Sequence, residues 1–311
     1  MKNLFFVPFA FDERKSTGVN IKTKALETYL KNICVSLISA KKENPSIDVA
    51  LVTNIKIPTN YENLLVKNDV IIYIEPFDSF VFDDTYLWCL AFYKLCALKK
   101  MVTKYDYDNY IYTDADVFVQ KSLDKVFLEL KDNILLYDIN HGLYTKDYEI
   151  IVKEFHRFGI DSYITHYGGE FFGAYRPNAI SFVNECEKIF EDMKTKDFVT
   201  TKGDEFILSI AAYKMKNNIK NAGAYIFRFW TGNFYLVSTC FKYNEIAILH
   251  FPNEKNDGIL KLFDIFIRKQ SFPKKAKVHK ICHLNHKPIK TRIKNLLKKT
   301  LKKVVSDNFF K

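Results

Sequence analysis

Short, solidly apolar runs alternate along the chain with longer stretches whose apolar residues recur every three or four positions. The first kind reads as buried strand and the second as amphipathic helix. Residues 3–9 predict a first strand, and 19–42 a helix with Ser16 or Thr17 as candidate caps. Strands follow at 47–54 and 69–75, then a helix over 84–102. "NYIYTDADVFV" from Asn109 reads as a strand, and 133–139 as another. In the second half, 149–158 is helix-like, and 162–176 is extended and aromatic with a break at Gly168–Gly169. Pro177 opens a helix to about Lys194, as proline suits a first helical turn. A further helix over 202–216 starts at Asp204, and strands at 224–230 and 245–251 complete the series, the last carrying His250. Strands alternating with helices give an α/β class with a mixed, mostly parallel sheet flanked by helices. In such sheets ligands sit beyond the carboxyl ends of the strands.

One strand departs from the pattern. Asp114 and Asp116 interrupt an apolar run, with Ile111 and Tyr112 before them and Val117, Phe118 and Val119 after. A buried carboxylate must be paired, protonated or bound to a cation. A single Asp-x-Asp is weak evidence, and Asp106 and Asp108 form another in a polar turn. The apolar flanks set Asp114 and Asp116 apart. A solvated strand end is one reading. A site for Mg²⁺ or Mn²⁺, completed by a substrate diphosphate, is the other, because hard oxygen ligands suit those ions.

Charge changes the picture at one end only. The net charge is +11, but residues 274–303 hold twelve Lys and Arg and no Asp or Glu, so the rest of the chain sums to −1. A nearly neutral body argues against a nucleic-acid partner. Residues 289–305 place apolar side chains at helical spacing with Lys and Arg on the other face, as in a helix that lies on an anionic membrane. The expected organisation is a domain over 1–260 and a basic tail over 261–311 for membrane attachment. Six scattered cysteines suit reduced thiols in a cytosolic protein. No uncharged apolar run is long enough to cross a membrane, and the N-terminal run reads as a strand rather than a signal peptide. "CHLNH" (282–286), with His279, is too sparse for a zinc site, and a surface loop is expected there.

The order of landmarks over residues 3 to about 258 resembles the GT-A class of nucleotide-sugar glycosyltransferases. The likeness is to retaining family 8, with some likeness to family 6. It rests on "YKL" (93–95), "DADVFVQKSLDKVF" (114–127), "GGEFFGA" (168–174), "GDEFIL" (203–208) and "LHFPNEKNDG" (249–258). The resemblance implies a GT-A, Rossmann-like fold and a UDP-sugar donor. It implies Asp114, Asp116 and His250 as ligands of Mn²⁺ or Mg²⁺, and Lys255 and Lys94 as contacts to the diphosphate. It also implies Asp12 at the nucleobase, although the first strand has no clear match to the family's acidic positions. The "GGEFFGA" segment lacks the Asn that family 8 often carries there.

Glu205, next to Asp204, would stabilise or attack the anomeric carbon, as carboxylates do in other glycosyl chemistry. Helix capping alone is the plainer account of that acidic pair. Glu170 follows Gly168 and Gly169, where a backbone can approach a ligand closely, which places Gly169 at the donor. The segment also resembles the Gly-Gly-Glu stretch that some inverting GT-A enzymes place near the acceptor, so the resemblance leaves an inverting mechanism with Glu170 or Asp204 as general base as an alternative. His166 and Trp230 read as wall residues, with the acceptor side as their other role. The expected acceptor is a lipid-linked glycan, such as a bacterial lipooligosaccharide or capsule, met at the inner face of the cytoplasmic membrane. A nucleotidyltransferase and a basic-tailed binding protein with a degenerate site are the competing classes.

Overall fold

The structure is a computed structural model and describes residues 1–12, 25–82, 86, 88–231 and 243–284. Strands β1 (Asn3–Phe9), β2 (Asp48–Thr53), β3 (Val70–Ile74), β4 (Asn109–Thr113), β6 (Ile134–Asp138), β7 (Tyr167–Tyr175) and β8 (Ile219–Asn221) form a seven-stranded sheet in the order β3-β2-β1-β4-β7-β6-β8. Pairings among β3, β2, β1 and β4 are parallel, β7 runs antiparallel to both neighbours, and β8 is parallel to β6. The expected mixed, mostly parallel sheet is what forms.

Side-chain alternation divides the core between the two faces. On β1, Phe5 and Val7 join one cluster while Leu4 and Phe6 join the other. Helices α1 (Ala25–Glu43), α2 (Thr59–Lys67) and the short α4 (Asp124–Glu129) cover the first face. Helices α3 (Tyr93–Lys104), α5 (Lys146–Phe158), α6 (Arg176–Thr195) and α7 (Asp204–Lys214) build the second. Buried on both sides, the central strands read as unbroken apolar runs, which is why they were legible in the sequence.

The element bounds differ from expectation in instructive places. Residues 19–24, with Ser16 and Thr17, lie outside the described residues, as do 84, 85 and 87 at the start of the next expected helix. That helix opens with a 3₁₀ turn at Cys89–Phe92 before α3 begins. Helix α2 was not expected, because it is only nine residues long and buries only Tyr61 and Leu65, too short a stretch for a helical period to stand out. Gly168 and Gly169 do not break the extended segment. β7 runs through both, with a register shift against β6 between Leu136 and Tyr137.

The run "NYIYTDADVFV" is two strands rather than one. β4 ends at Thr113, and the chain then leaves the large sheet. Val117–Val119 form β5, which pairs antiparallel with β10 (Ile248–His250), itself parallel to β9 (Ile226–Arg228). Asp114, Ala115 and Asp116 are the hand-over between the two sheets.

The packed body also runs past residue 260. Helix α8 (Gly258–Lys269) buries Ile259, Leu262, Phe263 and Phe266, at the spacing of one helix face, against α1. Helix α9 (Lys275–Ile281) follows, with Val278 and Cys282 in the same cluster. His279 is buried and bonds to Gln120 Oε1 at 2.7 Å, while the Gln120 amide donates to the carbonyls of Tyr243 and Ile246. Residues 261–284 therefore belong to the core, and "CHLNH" begins inside it. Residues 285–311, with the amphipathic pattern at 289–305, lie outside the described residues. Phe266→Ala should lower the unfolding free energy by about 3–5 kcal/mol, measured by chemical denaturation. A change near zero would mean that α8 is not part of the folded body.

Candidate active site

The hand-over between sheets puts Asp114 and Asp116 at the carboxyl end of β4, and hydrogen bonds fix it at both ends. Asp114 N donates to Glu170 O at 3.1 Å, and Phe251 N donates to Asp116 O at 2.9 Å. The register of the small sheet brings the remaining groups in. His250 of β10 pairs with Val117 on one side and with Arg228 on the other. Asp114, Asp116 and His250 thus form a group whose ligand atoms all lie within 4.8 Å of one another. His250 Nε2 is 3.3 Å from Asp116 Oδ2 and 3.9 Å from Asp114 Oδ2, and Lys255 Nζ is 3.2 Å from Asp116 Oδ2.

Two carboxylates and one imidazole suit a hard divalent cation. The surroundings fit one as well. Asp116 is 1% exposed, and neither of its oxygens has a well-directed hydrogen bond, although Lys255 and His250 stand at ion-pair distance. Buried polar atoms left in that state ask for an explanation, and an ion is one. On the other side of the ring, His250 Nδ1 faces Glu170 Oε1 at 3.6 Å, the arrangement that orients a ligating histidine. Burial alone would raise Asp116 and lower His250. The Lys255 and His250 charges outweigh this and hold Asp116 well below its usual range, while Asp116 and Glu170 carry His250 up to about 9. A cation arriving here would displace that proton.

Beside this group stands a second charge network. Glu170, on β7, has no exposed surface. Arg228 of β9 closes both its oxygens, from Nε at 2.5 Å and from Nη2 at 2.6 Å. Nη2 also reaches Glu205 Oε1 at 3.3 Å. Glu205 Oε2 takes a bond from His166 Nε2 at 2.9 Å. Asn140 sets the tautomer of that imidazole. Its Oδ1 accepts from Thr145, so its amide nitrogen donates to His166 Nδ1 and leaves the proton on Nε2. Burial pushes Glu205 up, but the His166 bond and the Arg228 charge outweigh it, so Glu205 stays ionised with its carboxylate partly open.

The neighbouring Asp204 binds Lys94 Nζ at 2.9 Å, and the same ammonium lies 3.4 Å from Asp114 Oδ1. Burial lifts Asp204 to about 6 against the pull of Lys94. Capping does not explain this acidic pair. The cap of α7 is Gly203, with no side-chain bond to the helix, and both carboxylates turn to the cationic partners instead. Gly169 is glycine because a Cβ there would meet Asp204 Oδ2 and Lys94 Nζ, and one at Gly168 would meet Glu170 and Arg228. Five carboxylates converge on three fixed cations, Lys94, Lys255 and Arg228, and the excess negative charge favours a cation.

A cleft opens from Asp114 and Ala115 along Pro8, Phe9 and Ala10, with Tyr29, Trp88 and Tyr93 on its walls and Lys94 and Lys255 at its end. Asp12 is half-buried just beyond this strip and is not among the residues that line the cleft. Of the other expected site residues, Asp114, Lys94 and Lys255 line the cleft, and Asp116, His250, Glu170, Gly169, Asp204 and Glu205 lie behind it in the contacts described above. Arg228 had not been singled out, although a lone charge in the apolar run "YIFRFW" already required a partner. Trp230 is partly exposed, its ring 5.9 Å from the Arg228 guanidinium. Arg228→Met should cost about 3–5 kcal/mol, since it strands a buried carboxylate. Adding Glu170→Gln should recover part of the loss in denaturant titrations. Additive losses would mean that the two groups are not coupled.

No family model matches the sequence, and no curated protein matches it. Solved structures do. An active-site mutant of LgtC superposes with a TM-score of 0.58 at 13% identity, covering 89% of this chain and 99% of that one. The galactosyltransferase LgtC in complex with donor and acceptor sugar analogues gives 0.55 at 13%, covering 88% and 99%. Mouse xyloside xylosyltransferase 1, in its apo form, gives 0.53 at 10%, covering 82% and 98%. At such identities the likeness establishes the fold, which is the GT-A fold.

Proposed function

We propose that the chain is a metal-dependent glycosyltransferase that moves a hexose or N-acetylhexosamine from a UDP-sugar to a glycan. The observation that carries the reading is the Asp114–Asp116–His250 group at the end of a cleft that also ends in Lys94 and Lys255. Three ligands and two ammonium groups at one point suit a diphosphate. Tyr29 and Phe9 line the same cleft, and an aromatic wall suits a nucleobase. Bound Mn²⁺ or Mg²⁺ supplies positive charge to the diphosphate as its bond to the sugar breaks.

The chain's own residues do the rest. Lys255 and Lys94 donate to the phosphate oxygens as negative charge gathers there. Glu205, held ionised and partly open, faces the positive charge that develops on the anomeric carbon. Asp204 fixes Lys94, and its own burial leaves it little access to substrate. Glu170 is an electrostatic support rather than a general base. It exposes no surface, and Arg228 and His250 overcome the effect of burial and hold its carboxyl far below the usual range. With Glu170 withdrawn and Asp204 engaged, the geometry favours retention, with Glu205 as the working carboxylate. The test is thermal unfolding with UDP, GDP, CDP and ATP, each with and without Mn²⁺. UDP at 100 times its dissociation constant should stabilise by about 2.7 kcal/mol only when Mn²⁺ is present. Asp116→Ala should remove the effect, and Glu205→Gln should keep it while lowering kcat by about 10²-fold. An undiminished kcat in either variant would sink the assignment.

We further propose that the acceptor is a lipid-linked glycan, of the kind borne by bacterial lipooligosaccharide or capsule, met at the cytoplasmic face of the membrane. The basic amphipathic pattern at 289–305 supports docking there. No helix among the described residues is long and apolar enough to cross a membrane. Deleting residues 287–311 should weaken co-sedimentation with anionic vesicles and leave hydrolysis of soluble UDP-sugar unchanged. Equal sedimentation of the two forms would refute docking through the tail.

A further inference from the structure

We propose that Tyr144 and Tyr163 form a stacking platform for a sugar ring of the acceptor glycan, beyond the sugar that receives the transferred unit. This rests on the glycosyltransferase reading above. The two rings are 60% and 76% exposed, although tyrosine usually covers much of its ring. Neither lies on a floppy support. Tyr144 precedes α5, whose cap Thr145 accepts from Tyr148 N at 3.1 Å, and its ring packs edge-on against Tyr148 at 5.3 Å. Tyr148 Oη donates to Ile164 O at 2.7 Å and so ties the Tyr163 segment to the same helix. Burial raises the Tyr148 hydroxyl, and Asp138, Tyr144 and Tyr163 add to the rise. Rigid, exposed tyrosines bind at little entropic cost. The electron-rich face of an aromatic ring attracts the C–H edge of a pyranose as it attracts the edge of another ring.

The platform is continuous with the reacting centre. Thr145, which caps the platform helix, donates to Asn140, Asn140 to His166, and His166 to Glu205. The rings thus stand on the β6 and β7 side of Glu205, away from the nucleotide cleft that opens beside β1. The surface favours a glycan over a lipid. Residues 141–165 carry three Lys and Arg against four Asp and Glu, a net charge of −1, so nothing there draws an anionic membrane.

The double variant Tyr144→Ala/Tyr163→Ala changes exposed rings outside the core, so it should unfold at the wild-type temperature and keep the Mn²⁺–UDP shift. An array of linear neutral oligosaccharides of hexose and N-acetylhexosamine, probed with labelled full-length protein plus UDP and Mn²⁺, is the measurement. Wild type should bind chains of three or more sugars, and the double variant should bind them at least tenfold more weakly. Tyr144→Phe/Tyr163→Phe should bind as wild type, because only the ring faces are used. Equal binding by the alanine variant, or no glycan bound by a wild type that still shows the Mn²⁺–UDP shift, would overturn the platform. Loss of vesicle co-sedimentation in the alanine variant, with glycan binding intact, would overturn it in favour of lipid. Glycan binding without any Mn²⁺–UDP shift would keep the platform and sink the transferase reading instead.

Discussion

Glu170 sits within β7 with no exposed surface, and Arg228 alone gives it two directed cationic bonds. A bidentate guanidinium–carboxylate pair is strong enough in its geometry to hold such a group in the ionised state. Much of the site hangs on it. The same guanidinium reaches Glu205, and the same carboxylate faces His250. One buried pair therefore touches both a metal-ligand candidate, His250, and the partly open carboxylate of Glu205. Such pairs contribute little net stability, since two desolvations must be offset. What this one contributes is position, because neither neighbour can turn without disturbing it.

The second constraint is the passage of the chain between two sheets. β4 pairs inside the large sheet and β5 inside the small one, so the three residues between them belong to neither ladder. Polar side chains are tolerated there because nothing apolar needs to occupy the gap. The small sheet returns the favour by carrying His250 and Arg228 side by side on neighbouring strands. The segment after β10 carries Lys255 inward to Asp116, while Glu254 turns the other way. It accepts from Thr231, from Gly258 N at 3.2 Å and from His283 Nδ1 at 3.0 Å. The last helices are thus tied to the segment that bears Lys255. Glu254, Asp257 and His283 could geometrically hold an ion. Glu254 accepts from Gly258 N at the start of α8, where the helix dipole opposes a cation, and its other oxygen contacts are already filled.

The strands of the large sheet were plain in the sequence, since burial on both faces demands unbroken apolar runs. Asp114, Asp116 and His250 were plain too, as polar groups at strand ends, and Pro177 marked its helix. Short polar α2 was not, because nine residues with two buried side chains are too few to establish a period. The break after Thr113 was not either, because both halves of that run are apolar and only their pairing partners differ. Helix α8 carries the same amphipathic signature whether its apolar face meets a core or a membrane, and only the presence of α1 opposite Phe263 and Phe266 decides between them.

By itself, then, the sequence determined which residues had to be buried, which strands had to be central and which carboxylates needed a partner. These follow from hydrophobic period and from the cost of burying charge, and both are local properties. Tertiary structure alone decided which partner each carboxylate received. Arg228 lies 58 residues from Glu170, and Lys94 lies 110 from Asp204, so strand register and helix placement select the pairs. The surroundings of Glu170, Asp204 and Glu205 differ for the same reason. Glu170 is sealed, Asp204 is tied, and Glu205 is left open by where each one's neighbours fall, which no spacing along the chain records.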